Sequence, residues 1–157
     1  MRVLVGGVGY RYLRDGSVGP WVADELSGRA EDGIEVEDLS YGPVAISQNL
    51  QDREPYDRLV LVGAVRRGRA PGTVTRYRWD RILPPPAEIQ ARVEEAVTGV
   101  ISLDNVLVVC TALGGLPGDV RIVEVEPADD GWGDGFSPEV EARLSEIVEA
   151  VWTSTEP

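Results

Sequence analysis

Carboxylates and guanidinium groups are almost the only side chains in this sequence that can carry polar chemistry. The chain has no histidine and a single cysteine. The commonest metal ligand and the usual proton shuttle at neutral pH are therefore missing. Cys110 stands inside the apolar run VLVVCTAL, where a thiol reads as a small core side chain rather than a nucleophile. Arg66, Arg67 and Arg69 form the densest basic group, in RRGRAPG, directly after the apolar run RLVLVGAV. Such a group suits a bidentate grip on a carboxylate or acidic peptide. It also suits a solvated loop leading to an edge strand guarded by charge, and Arg76, Arg78 and Arg81 continue the basic character. Asp15, Asp38, Asp104 and Asp119 are available acids, each better explained as a cap or surface group than as a catalyst.

The glycines of GGVGY invite comparison with a dinucleotide fingerprint, G-x-G-x-x-G. Gly7 and Gly9 match, but Tyr12 stands at the third position. The helical pattern begins only near Val18, so a phosphate would lack the helix N-terminus that should bind it. Nucleotide binding is disfavoured.

At 157 residues the chain is expected to form one domain, residues 1–157, with an ordinary soluble composition of 43% apolar and 27% charged residues. A net charge of −12 argues against nucleic acid or an anionic membrane as the main partner. Every basic residue is arginine, and the lone cysteine excludes an internal disulfide. The apolar start reads as a strand rather than a signal peptide, and the longest apolar stretch, near Val106 to Leu113, is too short for a bilayer span. A cytoplasmic location is the expectation.

Around these residues the pattern alternates strand and helix. The opening segment, Met1 to Leu26, reads as a buried strand (Val3, Leu4, Val5, Val8), a polar loop, and a helix from Val18 with Trp21, Val22 and Leu26 on one face. A turn-rich link from Gly28 to Gly33 precedes a second strand, Ile34 to Ser40, and a short helix from Pro43 to Gln51. Arg58 to Val65 suits a central strand buried on both faces, and Thr73 to Trp79 an edge strand. After Pro84 to Pro86, Ile89, Val93 and Val97 mark one helix face. A further helix starts near Ser102 and stops at Gly114-Gly115, and Asp119 to Pro127 is the last strand. In the final helix Ser137 caps, Pro138 takes the first turn, and Val140, Leu144, Ile147 and Val151 form the buried stripe. Five strands interleaved with helices imply a three-layer α/β domain with a mostly parallel sheet.

Taken together, the segments resemble the hydrogenase maturation proteases, the endopeptidases that trim the C-terminal extension of the nickel–iron hydrogenase large subunit. VGGVGYRYLRDGSVGPWVADEL is similar to that family's G-x-G-N-x-L-x-x-D-[DE]-G-x-G-x-x-[VA] segment. RLVLVGAVRRGRAPGTVTR is similar to its V-[DN]-A-x-x-x-G-x-x-P-G-T stretch. VLVVCTALGGLPGDVRIVEVEPADDGWGDGFSPEVEA follows its helix, L-P turn, G-I-x-P strand and tail. The resemblance implies a phosphorylase/hydrolase-like α/β/α sandwich with strand order 2-1-3-5-4 and strand 4 antiparallel. It also implies a Glu, an Asp and a His that bind substrate-borne nickel. Those positions correspond here to Gly16, Gly63 and Gly99, with Asp104 as an alternative for the last, and Tyr10 replaces the family's Asn. Glycine offers no ligand atom on a side chain, so no metal site and no resident cofactor are expected. Loss of three side chains from one edge could also widen the cleft, and Gly63, inside a strand, is its best sign.

The resulting expectation is a non-proteolytic relative that binds a hydrogenase large subunit, or its C-terminal segment, as a chaperone or checkpoint. The contact surface would run from Tyr10 to Gly19 through Arg14, Asp15 and Gly16, with Tyr41, Gly42, Gly63, Gly99 and the Arg66–Arg69 group around it. A second reading keeps an active endopeptidase whose substrate supplies the metal, with Asp15 and Asp104 as helpers. A third reuses the fold to bind a small molecule in a compact apolar pocket around the three glycines.

Overall fold

The computed structural model describes residues 1–29 and 31–157; Ala30, in the Gly28–Gly33 link, lies outside the described residues. Apolar residues alternate between two faces along each central strand, and this period dictates a sheet covered on both sides. The strands are β1 (Val3–Gly7), β2 (Ile34–Asp38), β3 (Arg58–Ala64), β4 (Val74–Arg78) and β5 (Asp119–Val125). They lie in the order β2-β1-β3-β5-β4, with β4 antiparallel to β5 and the other neighbours parallel. This is the mixed, mostly parallel sheet that the resemblance implies.

One face carries Leu4, Leu59, Leu61, Val120 and Ile122 and packs on α2 (Pro43–Asp52) and α4 (Leu103–Leu113). The other carries Val3, Val5, Val60, Val62, Val123 and Val125 and packs on α1 (Val18–Ser27), α5 (Pro138–Glu141) and α6 (Leu144–Thr153). The valine face is thin where α1 approaches the sheet. A Cβ on Gly19 would stand 2.7 Å from the Val62 carbonyl oxygen, so only glycine fits there.

Helix starts follow capping chemistry. Ser102 accepts from the Asn105 amide ahead of α4, and Ser137 accepts from the Val140 amide ahead of α5. Gly114, with φ +98°, ends α4 as its C-cap.

Three expectations change. Arg14–Ser17 forms a turn of 3-10 helix before α1, in what reads as plain loop. The final helix is broken between α5 and α6, where the Arg143 amide turns back to the Val140 carbonyl. Finally, α3 (Pro86–Val97) buries none of its own residues, and Val97, read as part of its apolar face, is 78% exposed. α3 lies on the outer side of α4 rather than on the sheet, so its apolar stripe has only a helix surface to meet.

Candidate functional site

The carboxyl ends of β1 and β3, with the loop after β5, form the edge on which the sequence-derived candidates fall. Parallel strands leave their connecting loops together at that edge, which is why ligand sites of open α/β sheets form there.

Asp15 anchors the opening loop. Its carboxylate is completely buried and accepts four hydrogen bonds: from the amides of Ala128, Asp129 and Ser137 and from the Ser137 hydroxyl, all at 2.8–3.0 Å. Asp15 is read from the sequence as part of a contact surface; its burial instead makes it the post to which the loop after β5 is tied. The same two loops are joined at Gly133, which donates to the Tyr12 carbonyl and accepts from the Arg14 amide. Arg14 itself lies against Asp129, 3.5 Å away, and takes a left-handed backbone, φ +45°.

Gly16 stands one residue beyond Asp15, and a Cβ there would lie 3.8 Å from the Cβ of Asp130. Asp130 in turn holds Arg66 in a two-point ion pair, Nη2 to Oδ1 at 2.6 Å and Nε to Oδ2 at 3.1 Å. Arg66 thus grips an acid of its own chain.

Gly63 is buried in β3, and its position is closed. A Cβ would stand 2.8 Å from the Val8 carbonyl oxygen and 3.1 Å from Leu103 Cδ1. The expectation that glycine opens the cleft fails here, because the Val8 carbonyl and Leu103 of α4 occupy the space. The strand glycine answers a close approach.

Beside Gly63 in the sheet register is Glu124. This carboxylate is 2% exposed and accepts from Arg67 Nε and Nη2, Arg69 Nη1 and the Tyr77 hydroxyl. Arg67 also reaches Asp104 through both Nη atoms, at 2.8 and 3.1 Å. Burial alone would raise the Glu124 pKa, but the donors from Arg67, Tyr77 and Arg69 outweigh it and hold the acid below its usual range. Tyr77 moves the other way, raised by burial and by its bond to Glu124. The guanidinium of Arg67, gripped by two carboxylates, stays charged at any accessible pH. The two nearby Glu126 oxygens cap the loop by accepting from the Arg67 and Arg69 amides.

Gly99, φ +90°, lies in the turn between α3 and α4 with open space around its missing side chain. Tyr10 fastens that turn. Its hydroxyl donates to the Gly99 carbonyl at 3.0 Å and accepts from the Ile101 amide at 2.6 Å. Tyr41 and Gly42 sit apart at the start of α2, where Tyr41 accepts from Asn49 and Gly42 takes φ +103°. The structure therefore links Tyr10 to Gly99, Gly16 through Asp130 to Arg66, and Gly63 through β5 to Glu124 and Arg67, and leaves Tyr41 and Gly42 outside that group.

Glu124, Tyr77 and Asp130, unread in the sequence, complete the arrangement with Ser137, which the sequence shows only as a helix cap. Glu124 sits in the alternating run RIVEVEP, where only the β3–β5 register shows that the acid faces inward. Among the described residues no three His, Cys, Asp or Glu side chains gather at metal-binding distance.

The fold matches solved hydrogenase maturation proteases across the full length of the chain. The hydrogenase-maturating endopeptidase HybD from E. coli is 26% identical, with a TM-score of 0.73 over 98% of this chain and 91% of that one. A hydrogenase 2 maturation peptidase from a Thaumarchaeota archaeon is 24% identical, with a TM-score of 0.69 over 99% of both chains. The [NiFe] hydrogenase maturation protease HybD from Thermococcus kodakarensis, at 18% identity, gives 0.68 over 99% of this chain and 100% of that one. No protein-family model matches the sequence, and no curated protein matches it. Among the described residues no helix is long and apolar enough to cross a membrane.

Proposed function

We propose that this protein acts in nickel–iron hydrogenase large-subunit maturation by binding the subunit or its C-terminal segment, without metal-directed peptide cleavage. The observation that carries the reading is the closed edge. The acids nearest to the expected nickel contact are committed to internal partners: Asp15 to three amides and a hydroxyl, Asp104 and Glu124 to Arg67, and Asp130 to Arg66. Among the described residues a nickel ion borne by the substrate would find no cluster of three ligating side chains, and at Gly63 a Cβ would meet the Val8 carbonyl. The residues present do not fit that metal.

What the chain's own groups supply is shape. The Asp15 post, the Tyr10 bond and the Arg66–Asp130 pair fix three loops as one surface, which favours recognition over turnover. On this reading Gly16, Gly63 and Gly99 stand where the family has its ligands. The exposed ring pair Tyr12 and Trp132, centroids 6.3 Å apart, gives the same edge an aromatic contact of the kind that anchors protein partners. The competing endopeptidase mechanism through Asp15 and Asp104 lacks support, because one is buried and the other is held at two points by arginine.

The test is the intact mass of the nickel-loaded large-subunit precursor before and after incubation, with gel filtration of the mixture. Unchanged mass with co-elution is expected. Release of a defined C-terminal peptide would overturn the non-cleaving role, and separate elution would overturn the binding role. The setting is expected to be the cytoplasm, where that maturation takes place in the family.

A further inference from the structure

β4, whose Tyr77 already joins the Glu124 cluster, carries a second feature along its outer backbone edge and its opposite face. β4 pairs with β5 through its odd-numbered residues. The Trp79 amide donates to the Val120 carbonyl and the Glu126 amide to the Thr73 carbonyl, which fixes the alternation along the strand. The amides and carbonyls of Val74, Arg76 and Arg78 therefore point away from the sheet. Among the described residues no segment pairs with them.

The side chains of Arg76 and Arg78 lie on the α6 face, beside Arg121 of β5. α6 ends at Thr153, and the hydroxyl of its C-cap, Ser154, accepts from Arg76. The space past its end is a cavity of about 140 Å³ lined by Arg76, Tyr77, Arg78, Arg121, Ile122 and Ser154. Asp119 is the carboxylate that answers this group. It binds Arg121 at 2.6 Å and Arg58 at 2.8 Å and lies 3.5 Å from Arg78, while Arg76 has no acid within ion-pair distance among the described residues. In a chain of net charge −12, Arg76, Arg78 and Arg121 around this cavity pair with no carboxylate but Asp119 among the described residues, a local excess of positive charge.

We propose that the open edge of β4 is a docking site for an extended acidic segment of a partner protein, which adds to the sheet as a sixth strand. An added strand would satisfy the outward amides and carbonyls of Val74, Arg76 and Arg78. Its side chains would alternate between faces, so acids at every second position would meet Arg76 and Arg78. A second copy of the chain is a poor occupant. β4 against β4 sets the same arginines against each other, and the acids of β2, at the opposite edge, are already held by Arg2, Arg53 and Arg11.

The experiment titrates the protein into a fluorescein-labelled synthetic peptide of alternating glutamate and valine and follows anisotropy. Saturable binding, with slower amide exchange at Val74, Arg76 and Arg78, is expected. The double variant Arg76→Glu/Arg78→Glu should weaken binding about tenfold or more, since two attractive cross-strand pairs become repulsive. N-methylation of alternate peptide amides should abolish binding to the unaltered protein, a comparison that does not depend on how the variant folds. Absence of saturable binding would overturn the proposal. So would equal affinity for the N-methylated peptide, or equal affinity for a single-stranded DNA of the same charge, which would mark a general polyanion surface. Concentration-dependent self-association that vanishes in the double variant would assign the edge to a second copy instead. None of these readouts involves the hydrogenase subunit, so the docking site and the maturation role stand or fall separately.

Discussion

Asp15 ties the opening loop to the loop after β5 across 113 to 122 positions of sequence. Four donors from the loop after β5 converge on it in a site without water access. Asp15→Asn would turn an amide NH₂ toward donors that need an acceptor. Unfolding in urea should show a loss of about 3 kcal/mol, the scale for charge-assisted bonds left unmade. Glu124 and Asp119 set the acid limit of the fold. Both pKa values are depressed, Asp119 by Arg121 and Arg58 against burial, and Glu124 by its three donors against burial. A depressed carboxylate contributes stability above its unfolded pKa and loses it as the pH falls through the folded one. Stability should therefore hold from neutrality to about pH 5 and fall below about pH 4. In Glu124→Gln the protein should be weaker at neutral pH, and its acid limb shallower, as read from urea midpoints across that range. Little of this was legible in the sequence. The arginines after β3 and the acids of the chain are plain in it, but Arg67 meets Asp104 across 37 positions and Asp15 meets Ser137 across 122. Only the fold brings such partners together.

Among the elements, the turn between α3 and α4 depends on the opening loop. One phenol hydroxyl serves both the Gly99 carbonyl and the Ile101 amide. Tyr10→Phe keeps the ring and removes both bonds, so it should cost about 1 kcal/mol in global stability. Amide exchange at Ile101 should quicken with little change in β3, and an unchanged rate would mean the bond does not hold the turn. Element types and most boundaries were legible, because strand and helix periods differ and because Ser102, Gly114 and Ser137 mark ends by known capping chemistry. α3 shows where the pattern misleads. Ile89, Val93 and Val97 have helical spacing, but spacing cannot say whether a helix meets the sheet or only another helix.

At the scale of the whole molecule, the strand order and the antiparallel edge strand follow from the resemblance, while the central position of β3 follows from its unbroken apolar run. The glycine in that run also has a physical reason, the close Val8 carbonyl, visible only once strands and helices are assembled. Two edges of one sheet are thereby given different work: loops closed by internal ion pairs at the carboxyl ends, and an open ladder beside β4.

The lightly seated α3 has a consequence for time rather than shape. It buries no residue of its own, and beneath it the side-chain Nδ2 of the fully buried Asn105 has no partner among the described residues, while Oδ1 accepts from Arg92 of α3. Lifting α3 would expose little apolar surface and would let water reach an amide that lacks a bond, so the opening free energy falls well short of global unfolding. The protein should behave as a fast outer unit on a slow body. Native-state hydrogen exchange should find α3 opening many times per global unfolding event, with its rate independent of low denaturant, whereas the amides of β3 exchange only when the whole chain does.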